Sequence, residues 1–140
     1  MAAVRSETAA LARRSGIEAA FETAGEPRAL AQDLELLLLR LAQEGIHNAE
    51  RHARASRVRV TLRYGTESVG LEVADDGVGI GTVPTASSLL AKGKLGLVGM
   101  QERVRLAEGR IEIGEAPGGG TVVGVEVPAP ESTAVGAIAS

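Results

Sequence analysis

The sequence predicts an α+β fold, a two-layer sandwich in which a mixed, mostly antiparallel sheet is covered on one face by helices. Three observations predict it. Leu30, Leu34, Leu37, Leu38 and Leu41 recur at three- and four-residue steps and mark one face of a long helix. Alternating apolar residues at Val58-Val60-Leu62, Val69-Leu71-Val73 and Thr121-Val123-Val125-Val127 mark strands with one buried side. Strands follow one another without a helix between each pair, which excludes a doubly wound nucleotide fold and leaves the helices to cover a single face.

At 140 residues the chain is one domain with room for a substantial core. Phe21 and Tyr64 are the only aromatic side chains, so that core is built from Leu, Val, Ile and Ala. The absence of cysteine excludes disulfides and thiolate metal sites and fits a reducing, cytoplasmic compartment. A net charge of −3 argues against a nucleic-acid partner. There is no signal peptide, and no apolar run approaches the roughly 20 residues of a membrane span.

In chain order, residues 1–15 are a helical lead-in, with Glu7 to Arg14 as its Ala-rich piece and Ser15-Gly16 as its stop. Ile17 to Thr23 reads as a strand with Ile17, Ala19 and Phe21 on one side, and Gly25-Glu26-Pro27 as a turn. The long helix runs from Arg28 to Ala53. Gly45 inside it costs roughly 1 kcal/mol relative to Ala, which points to close backbone approach there. Arg57 to Tyr64 is a strand with Arg57, Arg59 and Arg63 on its outer side, a solvated face before it is a phosphate site. Gly65-Thr66-Glu67 turns the chain into the strand of Val69, Leu71 and Val73. Residues 81–95 are longer and less regular than an ordinary connection, which suits a lid. A helix from Gly96 carries Leu97, Met100, Val104 and Ala107 inward and closes at Glu108-Gly109. Ile111 and Ile113 lie on a strand, Pro117 to Gly120 form a turn, and the valine-rich strand ends a domain of residues 1–128. Residues 129–140 have the small, low-complexity composition of a disordered tail.

Two places break the apolar pattern. The helical stripe continues into Glu44 and Asn48, followed by Arg51 and His52. Burying an unpaired carboxylate costs several kcal/mol, so the stripe either opens onto a cleft for a polar ligand or emerges into water. Asp75 has the inward parity of its strand and directly precedes Asp76-Gly77-Val78-Gly79-Ile80. Taken alone it is either a turn cap or an acid facing a ligand. No G-x-x-x-x-G-K-[ST] loop is present, and no G-x-G-x-x-G follows a strand.

Glu44-x-x-x-Asn48-x-x-Arg51-His52-Ala53 resembles the N box of the GHKL ATPase superfamily. Asp75-Asp76-Gly77-Val78-Gly79 resembles its D-x-G-x-G motif, Gly96-Leu97-Val98-Gly99-Met100 its second glycine box, and Gly118-Gly119-Gly120-Thr121 its closing G-x-G-T strand. The four occur in order between about Ile17 and Pro128. The wording Gly96-Leu97-Val98-Gly99-Met100-Gln101-Glu102-Arg103-Val104 is similar to sensor histidine kinases of the NarL/DesK-like class, which partner LuxR-type response regulators.

The resemblance implies a Bergerat-type fold that binds ATP and Mg²⁺. Asn48 would hold the cation through its neutral amide oxygen, and Glu44 would orient or deprotonate the attacking group. Arg51 and His52 would meet phosphate, while Asp75, joined by Thr121, would read the adenine amino group. Gly77, Gly79 and Ile80 would line the base and sugar, and Gly96, Leu97 and Gly99 the phosphates at a helix start. His47 and the lid residues Lys92 and Lys94 read as solvated. Lys94 stands where a first glycine of the second glycine box is usual, and Gly45 where Ala is common. The implied activity is transfer of the ATP γ-phosphoryl group to a His on a separate dimerisation domain, for relay to the regulator. Nothing before Ile17 resembles such a phosphoacceptor hairpin. A stand-alone anti-sigma-factor serine kinase of the same superfamily and a non-catalytic nucleotide-sensing or interaction module are the alternatives.

Overall fold

A computed structural model describes residues 1–51, 55–77, 95–115 and 119–130. Helix α1 (Ala2–Ser15) leads into strand β1 (Glu18–Ala24) and helix α2 (Gln32–Arg51). Strands β2 (Arg57–Tyr64) and β3 (Ser68–Asp75) follow, then helix α3 (Leu95–Leu106) and strands β4 (Arg110–Glu115) and β5 (Thr121–Pro128). The five strands form one sheet in the order β1-β2-β3-β5-β4, parallel between β1 and β2 and antiparallel elsewhere. The expected mixed, mostly antiparallel sheet is therefore present, with the long helix as the crossover between its parallel pair.

Register explains the layering. Phe21, Val60, Val73, Val123 and Ile113 lie in one row across the sheet, and Thr23, Leu62, Leu71, Val125 and Ile111 in the next. Helices cover these apolar rows. The next row ends differently, with Ala19 beside Val58 and Val58 beside Asp75. The opposite face carries Arg57, Arg63 and Arg110, paired with Glu18, Glu72 and Glu126. Those strand arginines are thus on the far side from Asp75, which leaves the solvated-face reading and removes the phosphate one.

The first helix is more than a lead-in. Val4, Thr8 and Leu11 are buried, and α1 runs in the same direction as α2, with Glu7 contacting Gln43 and Arg14 forming a forked ion pair with Glu50. Gly16 ends α1 in the left-handed conformation at φ 75°, which glycine adopts without Cβ strain. Helix α2 starts at Gln32 rather than Arg28. The Arg28 guanidinium instead donates to the Gly65 and Ala129 carbonyls at 2.7 and 2.6 Å, pinning the connection to the end of the sheet. Ala129, assigned by composition to the tail, is 8% exposed and donates its N–H to the Glu67 carbonyl. At the end of α3 the left-handed residue is Glu108 at φ 63°, while Gly109 is small because a Cβ there would lie 2.6 Å from the Glu126 carbonyl oxygen.

Candidate functional site

Helix α2 and strand β3 run the same way. Leu34 and Leu37 lie beside Val127 and Pro128, where β5 pairs with the start of β3, and Gly45 lies on Val73 two residues before β3 ends. A Cβ on Gly45 would be 2.9 Å from the Val73 side chain, so the expected close approach occurs and glycine permits it. One helical turn beyond Gly45 is Asn48, and two strand residues beyond Val73 is Asp75. The polar ends of the two apolar patterns are therefore at the same end of the layer.

Asn48 is 3% exposed and Asp75 6%. Asp75 Oδ1 accepts the Gly77 N–H at 2.8 Å and the Thr121 N–H at 3.2 Å. The first contact is the turn cap that Asp-Gly chemistry suggests. The second comes from the neighbouring β5 and locks the carboxylate against the end of the sheet rather than in water. Gly120, at φ 95°, makes this possible: any Cβ there would overlap the Asp75 carbonyl, 1.9 Å from its oxygen. Sequence reasoning placed Gly120 in a turn and missed it as a wall of the site. Three successive glycines before an inward Thr are the signal for it.

Thr121 is 1% exposed, and its Oγ1 is buried without a hydrogen-bond partner among the described residues. It is the backbone of Thr121, not its hydroxyl, that joins Asp75. Leaving a buried hydroxyl without a partner costs about 1–3 kcal/mol, so this oxygen is a candidate ligand contact.

Glu44 departs from the expectation. The buried stripe of α2 runs through Leu38, Leu41, Ala42, Ile46 and Ala49 and takes in Asn48, whereas Glu44 is half-buried on its flank. It lines a groove of about 250 Å³ with Arg40, Gln43, Gly99, Met100 and Arg103 between α2 and α3. Helical rotation of about 100° per residue puts Glu44 at the edge of the stripe, beside α3 rather than over the sheet. Gly99 in the first turns of α3 is exposed, with open space where a Cβ would be. His47 is exposed, as expected.

The structure brings together Asp75, Gly77 and Thr121, places Asn48 on α2 at the same end of the layer, and puts Glu44 and Gly99 at a second edge. Arg51 closes α2, and Gly96 and Leu97 lie in the first turn of α3; the side chains at these positions lie outside the described residues. His52, Gly79, Ile80, Lys92 and Lys94 lie outside them altogether, as does the expected lid up to Lys94.

Residues 33–131 match the family model described as histidine kinase-, DNA gyrase B-, and HSP90-like ATPase. The chain is 31% identical over 114 residues to the signal transduction histidine-protein kinase/phosphatase DegS of Brevibacillus brevis, covering 81% of this chain and 28% of DegS. It is 32% identical over 129 residues to the oxygen sensor histidine kinase NreB of Staphylococcus carnosus, covering 91% of this chain and 35% of NreB. The chain thus spans about a third or less of these relatives. Among solved structures, the histidine kinase domain from the blue-light activated histidine kinase of Erythrobacter litoralis EL346 superposes with a TM-score of 0.65 at 22% identity, over 89% of this chain and 62% of that one. That likeness is one of fold.

Proposed function

The chain belongs to the histidine kinase-, DNA gyrase B- and HSP90-like ATPase family, and on that premise we propose that it is the ATP-binding catalytic domain of a sensor histidine kinase, working with Mg²⁺ and a phosphoacceptor His carried outside this sequence. The observation that carries the site is the buried pair Asp75 and Thr121, with the Thr121 hydroxyl unpartnered among the described residues at the end of otherwise apolar rows. A purine suits it: the base offers an exocyclic amino donor for the acid and ring nitrogens for the hydroxyl, with a flat apolar body between.

The residues present also fit a magnesium ion. Asn48 would hold it, since a neutral amide oxygen suits a hard cation whose remaining ligands are phosphates and water. When bound, the ion supplies neutralisation of charge on the phosphate oxygens. Every other contribution is positioning. Asp75, fixed by two amides, orients the base; Gly77 and Gly79 let backbone approach it, with Ile80 beside the sugar. Arg51 and His52 would meet phosphate, as would the α3 residues Gly96, Leu97 and Gly99. Glu44, in the groove between those helices, takes or orients a proton of the incoming imidazole.

In this reading the phosphoryl group passes to a His on a separate dimerisation domain and then to an Asp of a LuxR-type response regulator, in the cytoplasm. Among the described residues, no helix is long and apolar enough to cross a membrane. The relatives bear names of sensor histidine kinases, which favours this reading over the anti-sigma serine kinase and the non-catalytic module. The test is incubation with γ-labelled ATP, Mg²⁺ and a separately purified His-bearing dimerisation domain of the same class. Acid-labile label is expected on the added domain alone; label on this chain, or none anywhere despite nucleotide binding, contradicts the proposal.

A further inference from the structure

The proposed nucleotide site has two halves on different elements. Asp75 and Thr121 belong to the sheet, whereas Asn48 and Arg51 belong to α2. Something must fix their separation, because a ligand that spans both is held only if both are in register. Besides the contact of Gly45 with Val73, the chain that follows α2 is hydrogen-bonded to the sheet at a junction of described residues. Beyond α2, Ala55 donates its N–H back to the Ala49 carbonyl at 3.4 Å, next to Asn48. Ser56 follows. Its carbonyl accepts the Glu18 N–H of β1 at 2.9 Å, while its own N–H and hydroxyl both donate to Asp76, at 2.8 Å to Oδ1 and 2.6 Å to Oδ2. Asp76 Oδ1 also accepts the Arg57 N–H at 2.8 Å, and the Asp76 N–H returns to the Arg57 carbonyl at 3.3 Å.

Asp76 directly follows the acid proposed to read the base, and its carboxylate takes three short donors from the two residues that carry the chain from α2 into β2. These are charge-assisted bonds, the stronger kind. Resting on the nucleotide reading above, we infer that Asp76 is a positioning residue for the phosphate half of the site: it clasps the Ser56-Arg57 junction and so sets where α2 presents Asn48 relative to Asp75. It touches neither nucleotide nor metal itself. Its neighbour Asp75 acts on the ligand; Asp76 acts through the Ser56-Arg57 segment that follows α2.

A clasp of this kind has a signature that general loss of stability lacks. Adenosine needs only the sheet half of the site, whereas MgATP needs both halves in register. The experiment is titration of the whole chain with adenosine and with MgATP, followed by the chemical shift of the Thr121 amide, at a temperature where circular dichroism shows each variant folded. Asp76→Ala removes all three acceptor contacts and is expected to weaken MgATP on the order of tenfold or more, with adenosine changed by about twofold or less. Asp76→Asn keeps an oxygen for the two backbone donors and is expected to restore most of the loss. Ser56→Ala removes only the hydroxyl donor and is expected to fall between. Should Asp76→Ala not fold, Ser56→Ala carries the test alone, and an unchanged ratio of the two affinities there overturns the inference. Equal losses for both ligands in Asp76→Ala, or none for either, overturn it as well. An unmutated chain that binds adenosine but not MgATP, or neither, refutes the nucleotide reading itself and takes the clasp with it.

Discussion

The Cβ that Gly45 lacks would stand 2.9 Å from Cβ and Cγ2 of Val73, so helix α2 rests directly on strand β3 one turn before Asn48. Two effects of Gly45→Ala oppose each other. Helix propensity favours Ala by about 1 kcal/mol, while forcing a methyl against a short branched side chain in a packed core costs about 1–3 kcal/mol. Overpacking wins, and a net destabilisation on the order of 1 kcal/mol is expected by urea unfolding. In a Val73→Ala background the Cγ1 and Cγ2 contacts are gone and only the Cβ contact at 2.9 Å remains, so the same substitution is expected to cost less there. Additive effects in that double-mutant cycle would show that the contact does not set the helix height.

Thr121→Val tests whether the buried hydroxyl serves the fold or a ligand. Replacing an unpartnered buried hydroxyl by a methyl of the same shape relieves a cost of about 1–3 kcal/mol, so the free protein is expected to be as stable or more stable. Nucleotide affinity moves the other way, with a loss of roughly tenfold for ADP as one hydrogen bond disappears. Stability and affinity falling together would make Thr121 a structural residue.

Both polar anomalies in the pattern, the buried Asn48 and Asp75, were legible from spacing alone, since an amide on a leucine stripe and an acid on a valine side break a simple rule. The strands were legible for the same reason: Val58-Val60-Leu62 and Val69-Leu71-Val73 alternate without interruption. The start of α2 was not. Arg28 reads as a helical residue by propensity, and only the tertiary bonds to the Gly65 and Ala129 carbonyls hold it out of the helix. Glu44 was placed on the buried stripe because a four-residue step is close to, but not equal to, a full turn, and the drift carries it onto the flank. Asp76 was hidden because its partner, the Ser56-Arg57 backbone, is distant in sequence and nothing local announces the contact, while at Gly120 the glycine run signals a close approach without revealing that the Asp75 carbonyl is what approaches.

Asp76 also predicts an acid limb of stability. The Ser56 hydroxyl first, and the Arg57 N–H after it, hold its carboxyl at about 2, below the ordinary 3.8. A carboxylate whose folded value is depressed contributes stability that is complete above its unfolded value and is lost as pH falls through the folded one. The loss therefore belongs to the window from about pH 4 down to about pH 2, and it is modest because the group is exposed to solvent. The Glu126 carboxyl, lowered by Arg110 and then Ser68, adds to the same limb. Urea midpoints measured from pH 5 to pH 2 are expected to fall less steeply in Asp76→Asn than in the unmutated chain; parallel curves would contradict the assignment.

The central claim is one ligand held between a sheet-borne acid and a helix-borne amide, and calorimetry of ATP binding with and without Mg²⁺ tests it most directly. The unmutated chain is expected to bind ATP, and to bind it more tightly with the ion. Asp75→Asn keeps an oxygen for the Gly77 and Thr121 amides but offers a donor where the purine amino group needs an acceptor, so binding is expected to vanish under both conditions. Asn48→Ala is expected to leave binding without the ion and erase the gain that Mg²⁺ brings. Unchanged affinity in Asp75→Asn, together with an undiminished Mg²⁺ effect in Asn48→Ala, would contradict the claim.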